Sequence, residues 1–88
     1  MELKDLRTEI DKIDEELVQL FKKRMEVCGQ IAEAKKAQGL PVLDSAREEE
    51  KLRAVMAAAP EIKNQIAALY ITIFDVSRRY QEQRLERL

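Results

Sequence analysis

The stretch of residues 3–41 reads LKDLRTEIDKIDEELVQLFKKRMEVCGQIAEAKKAQGLP and contains the most regular pattern in the chain. Its apolar side chains recur in alternating steps of three and four, with one interruption at position 24. This spacing keeps one face of an α-helix apolar over about five heptads. We therefore predict one long helix over residues 2–37, ended by Gly39 and Pro41. The apolar positions are Leu3, Leu6, Ile10, Ile13, Leu17, Leu20, Val27, Ile31 and Ala34.

A short second helix is predicted after the loop that contains Gly39. Ser45 followed by Glu48 fits a capping box, with Asp44 as the competing cap. Either residue would start a helix near position 45, and the helical pattern then continues to about position 58.

The last part of the chain predicts a third helix. Pro60 suits the first turn of a helix, and apolar residues at helical spacing follow it. We place this helix at residues 61–87. The chain is thus expected to be one all-α domain over residues 1–88, with helices in the order long, short, long.

The length of the first helix predicts a dimer. About 36 residues would extend roughly 54 Å at 1.5 Å per residue, whereas a globule of 88 residues is nearer 25 Å across. Much of the apolar face must then lie uncovered by its own chain. The economical solution is an intertwined homodimeric helical bundle, in which two long helices cross and share one core.

The charge pattern argues against two classes of partner. The 16 basic and 17 acidic residues are interleaved and leave a net charge of −1, whereas nucleic-acid binding typically needs a basic excess on one face. No apolar run approaches the roughly 20 residues of a membrane span, and no signal-peptide pattern opens the sequence. We expect a cytoplasmic protein that binds neither nucleic acid nor membrane.

The composition also limits the chemistry. The chain has no histidine and a single cysteine, Cys28, which argues against zinc and copper sites and excludes Ser-His-Asp and Cys-His catalysis. We therefore expect no zinc or copper site. Any catalysis must use Arg, Lys, Asp, Glu, Ser or Gln.

Two basic residues break the apolar face of the first helix. Steps of seven from Leu3 lead through Ile10 and Leu17 to Arg24, where a charge is costly unless it is paired or faces a site. Lys35 shares this face. Each residue alone also fits a simpler role: Arg24 could extend its charged end to solvent or pair with an acid, and Lys35 could be a solvated lysine that the helix dipole favours.

Polar residues also stand out at particular positions of the other two predicted helices. Ser77 and Gln81 share a face with Phe74, and Arg47 and Glu48 lie in the first turn of the second helix, beside Asp44. Singly, these residues are compatible with a partly exposed edge and with helix capping. Together they predict a site that binds a polyanion and donates hydrogen bonds, without a nucleophile and base.

The sequence resembles the all-helical class of chorismate mutases over essentially its whole length. The combination of shared features in this order is highly specific, although no single piece is. The resemblance implies an intertwined homodimer that rearranges chorismate to prephenate, a step toward phenylalanine and tyrosine, without cofactor or metal. In chain order, the shared features are Leu6-Arg7, Ile13-Asp14, Arg24, Ala34-Lys35, Pro41-Val42-Leu43-Asp44, Arg47-Glu48, Ser77 and Gln81.

The resemblance also implies which residues bind the substrate carboxylates. Arg7, Arg24 and Arg47 would hold them, because a guanidinium matches a carboxylate better than an ammonium does. Ser77 would support the ring carboxylate.

Four further residues would act at the other polar groups of the substrate. Glu48, with the Asp44 region, would bind the ring hydroxyl. Lys35 and Gln81 would donate to the ether oxygen, which gains negative charge as its bond breaks. The predicted catalytic residues are therefore Lys35, Gln81, Arg24 and Glu48.

Distance assigns Arg7 to the other subunit. Arg7 and Arg24 are 17 residues apart in the sequence, which is about 25 Å along a straight helix. Both cannot reach one small substrate from the same chain. We therefore expect two shared sites per dimer, each with Arg7 of the partner subunit.

Two other functions fit part of the pattern. An isochorismate pyruvate-lyase would share the fold and the basic cluster, but such lyases typically lack the equivalents of Asp44 and Glu48. A helical dimerisation or regulatory module would explain the apolar face, but not Arg24 within it or Ser77 and Gln81. The mutase is favoured over both.

Overall fold

The computed structural model describes residues 2–88, and these form an all-helical chain. Helix α1 is Leu3–Ala37, α2 is Ser45–Ala58, a short 3-10 helix is Pro60–Ile62, and α3 is Lys63–Glu86. The predicted all-α architecture, long, short, long, is confirmed.

Helix α1 ends at a glycine in the left-handed conformation. Gly39 has a φ of 70°, which residues with a Cβ rarely adopt. The N–H of Leu40 then donates to the carbonyl oxygen of Lys35 at 2.8 Å, which satisfies one of the last carbonyls of the helix. The prediction that this glycine ends the first helix is confirmed.

Asp44, and not Ser45, caps α2. Its Oδ1 accepts a hydrogen bond from the N–H of Arg47 at 3.0 Å, so that Ser45 becomes the first helical residue. Of the two caps that the sequence left open, the capping box with Ser45 is therefore wrong. Because Asp44 already accepts the hydrogen bond from the N–H group in the first turn of α2, the carboxylate of Glu48 is not needed for capping and can bind elsewhere.

The third helix starts two residues later than predicted. Residues Pro60–Ile62 form a 3-10 turn, in which the N–H of Ile62 donates to the carbonyl oxygen of Ala59 at 3.1 Å. Proline fits the first turn of either kind of helix, and one 3-10 turn is common where an α-helix begins. The regular α-helix begins only at Lys63.

Helix α3 packs against both other helices. The buried residues lie on α1 and α3, and α2 buries none. On α1 they are Cys28, Gly29 and Ala32, and on α3 they are Phe74, Ser77 and Gln81. The core of one chain is therefore small and lies at the C-terminal halves of α1 and α3.

Most of the apolar face of α1 is exposed. The chain measures 54 × 27 × 14 Å, and its longest dimension is close to the length expected of α1. Large apolar side chains along this helix remain between 42% and 62% exposed, namely Leu3, Leu6, Ile10, Ile13, Leu17, Leu20, Val27 and Ile31. The prediction that one chain leaves this face uncovered is confirmed.

Within residues 2–88, no helix combines the length and the apolar character needed to cross a membrane.

Candidate active site

A cavity of about 360 Å3 lies between the C-terminal half of α1, the first turns of α2 and the C-terminal half of α3. Its volume falls within the range of small-molecule sites. The residues that line it are Arg24, Cys28, Ile31, Lys35, Val42, Asp44, Arg47, Glu48, Lys51, Phe74, Ser77, Arg78 and Gln81.

The cavity brings together seven of the eight residues that the sequence predicted for the site. Arg7 is the exception, because it lies exposed near the N-terminal end of α1. The seven are Arg24, Lys35, Asp44, Arg47, Glu48, Ser77 and Gln81.

Arg24 is bound by uncharged partners. Its Nη1 donates to Ser77 Oγ at 2.8 Å and lies 3.6 Å from Cys28 Sγ. Among residues 2–88, no carboxylate lies within ion-pair distance of it, so the simpler role in which Arg24 pairs with an acid is wrong. Arg24, at an apolar position of the heptad pattern, therefore brings to the cavity a positive charge that no carboxylate of the described residues neutralises.

Lys35 joins the last turn of α1 to the loop that follows. Its Nζ donates to the carbonyl oxygen of Val42 at 2.7 Å, and the residue is only partly exposed. An ammonium group has three donors. This bond therefore fixes the side chain while leaving donors for a ligand.

The polar residues of α3 are buried. Ser77 is 5% exposed and Gln81 is 7% exposed, on the same face as the buried ring of Phe74. The Oε1 of Gln81 has no hydrogen-bond partner among the described residues. Buried polar atoms without a partner are few in proteins, and each calls for an explanation such as a functional role.

Glu48 is held by a residue that the sequence did not single out. Both of its carboxylate oxygens accept from Nη1 of Arg78, at 2.5 Å each. The hydrogen bond to Glu48 is the main cause that raises the pKa of Arg78 above its ordinary value, against a smaller opposing effect of burial. Arg47, by contrast, pairs with Glu50 in an exposed contact on α2, at 3.1 Å.

The cavity carries more positive than negative charge. Five of its lining residues are basic, and two, Asp44 and Glu48, are acidic. This balance favours an anionic ligand. Within residues 2–88, no three His, Cys, Asp or Glu side chains are grouped so that they could hold a metal ion.

Two of the basic residues, Lys51 and Arg78, were missed by the sequence analysis. Lys51 lies four residues after Arg47, and Arg78 lies three residues before Gln81. Residues at these spacings share a helix face, so this rule could have found both.

Fold and cavity together define an all-helical protein whose cavity favours an anionic ligand. Residues 6–82 match the family model of chorismate mutase type II. The chain therefore belongs to the chorismate mutase type II family. The predicted resemblance and the predicted class of enzyme, an isomerase of the chorismate mutase type, are confirmed, whereas the domain limits 1–88 stay a prediction.

Parts of three longer proteins are similar to this chain. The T-protein of Haemophilus influenzae is 50% identical over 52 residues, which are 59% of this chain and 14% of that protein. The bifunctional chorismate mutase/prephenate dehydratase of Aquifex aeolicus is 38% identical over 61 residues, 69% of this chain and 17% of that protein.

The third relative is the 3-dehydroquinate dehydratase of Pyrobaculum aerophilum. It is 46% identical over 48 residues, which are 54% of this chain and 16% of that protein. The chain thus spans between 14% and 17% of the length of these three relatives. No solved structure matches it.

Proposed function

We propose that this chain rearranges chorismate to prephenate as a homodimer with two sites, each of which includes Arg7 of the partner subunit. One observation carries the proposal: a single cavity, with an excess of positive charge, gathers seven residues that the resemblance assigns to the substrate. Their hydrogen bonds and burial support a role for each.

The reaction suits a site without a nucleophile. One ether C–O bond of chorismate breaks while a C–C bond forms within the same molecule, so that no proton transfer or covalent intermediate is needed. The protein has two tasks. It binds the compact, reactive conformer of the substrate, and it stabilises the charge that develops at the ether oxygen.

The carboxylates of the substrate would be held by guanidinium groups. Arg24 is already oriented by Ser77 and has no carboxylate partner among residues 2–88, so binding a substrate carboxylate breaks no ion pair seen there. Arg47 pairs with Glu50 in an exposed contact, and such pairs contribute little. It can therefore turn to a second carboxylate at small cost.

The ether oxygen would accept hydrogen bonds from Lys35 and Gln81. Lys35 is fixed by its bond to the Val42 carbonyl, and Gln81 is buried on α3. Donors that are fixed before the substrate binds need little rearrangement in the transition state, and this raises the rate of the chemical step.

The ring hydroxyl would be bound at the start of α2. The carboxylate of Glu48 can accept from it, since each carboxylate oxygen has more than one lone pair. Asp44 acts indirectly, because its cap on the N–H of Arg47 fixes the turn that carries Arg47 and Glu48.

The dimer would supply the residue that one chain cannot. Arg7 lies about 25 Å along α1 from Arg24, on the stretch of the helix whose apolar face is exposed. An apolar face of this extent is typical of an interface. A second copy that covered it would bring its own Arg7 to the cavity of the first.

The test is an ultraviolet assay of chorismate loss by the purified chain, with the product identified. Prephenate is expected. The same chain is incubated separately with isochorismate, because the lyase is the nearest rival. Release of pyruvate from isochorismate, without any prephenate from chorismate, would contradict the proposal.

A further inference from the structure

The side chain of Arg78 on α3 binds that of Glu48 on α2. Its Nη1 donates to both oxygens of Glu48 at 2.5 Å, and its Nη2 lies 4.0 Å from Asp75 Oδ1 on its own helix. The side chains of Arg78 and Glu48 are 29% and 25% exposed. Both residues also line the cavity.

The next residue, Arg79, is an ordinary surface arginine and differs from Arg78 in its partner and its exposure. Arg79 pairs with Asp75 one turn away on the same helix, at 3.3 Å, and its side chain is 74% exposed. Such exposed pairs within one helix contribute little to stability. The pair of Arg78 with Glu48 instead joins two helices beside the site.

Glu48 poses an electrostatic problem for this site. A carboxylate next to the binding position of a dianion repels it, and like charges brought together cost binding free energy. The guanidinium of Arg78 offsets that charge at hydrogen-bond distance. The cavity can thus keep an acceptor for a hydroxyl without losing its preference for an anion.

Arg78 also fixes the position of the acceptor. A glutamate side chain is flexible, and ordering it costs conformational entropy. Its two oxygens are held by a residue that directly follows Ser77 and lies three residues before Gln81. The carboxylate of α2 is therefore placed relative to the same helix that carries two other residues of the site.

We propose that Arg78 is a positioning residue of the mutase site, which neutralises the Glu48 carboxylate and holds it where it accepts the ring hydroxyl. This inference rests on the proposed function. Arg78 acts through Glu48 and not on the reacting bond, so the effect of removing it depends on whether Glu48 is present.

A double-mutant cycle tests this dependence. The variants are Arg78→Met, Glu48→Gln and the two combined, with Arg79→Met as the matched control on the same helix. In the presence of Glu48, Arg78→Met should lower kcat/KM for chorismate about tenfold, since it leaves a carboxylate uncompensated beside a dianion. In Glu48→Gln protein it should change kcat/KM less than about twofold, and Arg79→Met should leave it unchanged.

Two more conservative variants distinguish the effect of losing the charge of Arg78 from an effect on folding. Arg78→Lys keeps a cation near Glu48 and should recover at least half of the lost activity. Arg78→Gln keeps a donor but no charge, so it should raise KM more than it lowers kcat. Both allow the test even where Arg78→Met fails to fold, and circular dichroism establishes that each variant is helical at the assay temperature.

Additive effects of Arg78→Met and Glu48→Gln would overturn the inference, because Arg78 would then act independently of Glu48. An unchanged kcat/KM in both Arg78→Met and Arg78→Gln would overturn it as well. A wild-type chain that forms no prephenate overturns the proposed function and this inference with it. An active wild type with additive changes overturns the inference alone.

Discussion

The two halves of α1 follow the same heptad spacing but have different surroundings. In the C-terminal half, the small residues Cys28, Gly29 and Ala32 are buried against α3, and the cavity opens beside them. In the N-terminal half, the large residues of the apolar face, such as Leu6 and Leu17, remain exposed. The heptad spacing therefore identifies a face that one chain leaves exposed, whereas the small residues beside that face mark where α3 of the same chain packs closely.

The largest expected effect comes from removing one arginine from each half of α1. Arg7→Ala and Arg24→Ala should each lower kcat/KM about 1,000-fold, because each removes a fixed guanidinium from the site. When the two variants are mixed, heterodimers should recover part of the activity, since one of their two sites has both arginines. Steady-state assays before and after subunit exchange measure this recovery. Its absence, with exchange verified by mass spectrometry, would contradict a shared site.

A smaller effect tests the C-terminal half alone. Gln81→Glu must be protonated to donate to the ether oxygen, so its activity should fall about tenfold for each pH unit above the pKa of the new carboxyl group, ordinarily near 4.3. The wild type, with a neutral amide, should keep its activity through neutral and mildly alkaline pH. A pH–rate profile of both proteins checks this, and a wild-type rate that collapsed between about pH 5 and 7 would contradict the role of Gln81.

The N-terminal half is tested by a charge on its apolar face. Leu17→Glu should weaken the dimer at least about tenfold, because burial of one leucine stabilises by roughly 1.5–3 kcal/mol and both copies lose it. Glu15→Lys changes charge on the opposite face of α1 and is the matched control. Sedimentation at several concentrations measures the association of both variants. A wild-type chain that sediments as a monomer would remove the prediction.

The smallest expected effect lies in the C-terminal half, at Gly29. A Cβ built there would lie 2.5 Å from Nη1 of Arg84, whose guanidinium also binds Glu33 at 3.1 Å. The flexible end of Arg84 can move away, and alanine favours a helix more than glycine does. Gly29→Ala should therefore shift the Tm by no more than about 5 °C at fixed protein concentration. A much larger fall would indicate that the backbones, and not Arg84, limit the space.

Much of the fold could be predicted because its signals are local. The spacing of apolar residues identifies α1. A glycine such as Gly39 marks the end of a helix by its own backbone preference, whatever the rest of the chain does. The details that differed depend on competition between neighbours. Asp44 and Ser45 both could cap α2, and Pro60 fits an α-helix and a 3-10 turn equally well, so the sequence alone does not decide between them.

The site could be predicted only where its residues share a helix. The helical period places Arg24 and Lys35 on one face of α1, and it places Ser77 and Gln81 on one face of α3. The bond of Arg24 to Ser77 and that of Arg78 to Glu48 join residues 53 and 30 positions apart. No periodicity within a helix relates such positions, so these contacts required the structure.

The small core of one chain has a consequence for every assay. With few side chains buried, a single copy has little apolar burial to offset the conformational entropy lost on folding. A second copy that covers α1 would stabilise the fold by mass action. We therefore expect the specific activity to fall on dilution and the Tm to rise with protein concentration, so that rates are comparable only at one stated concentration.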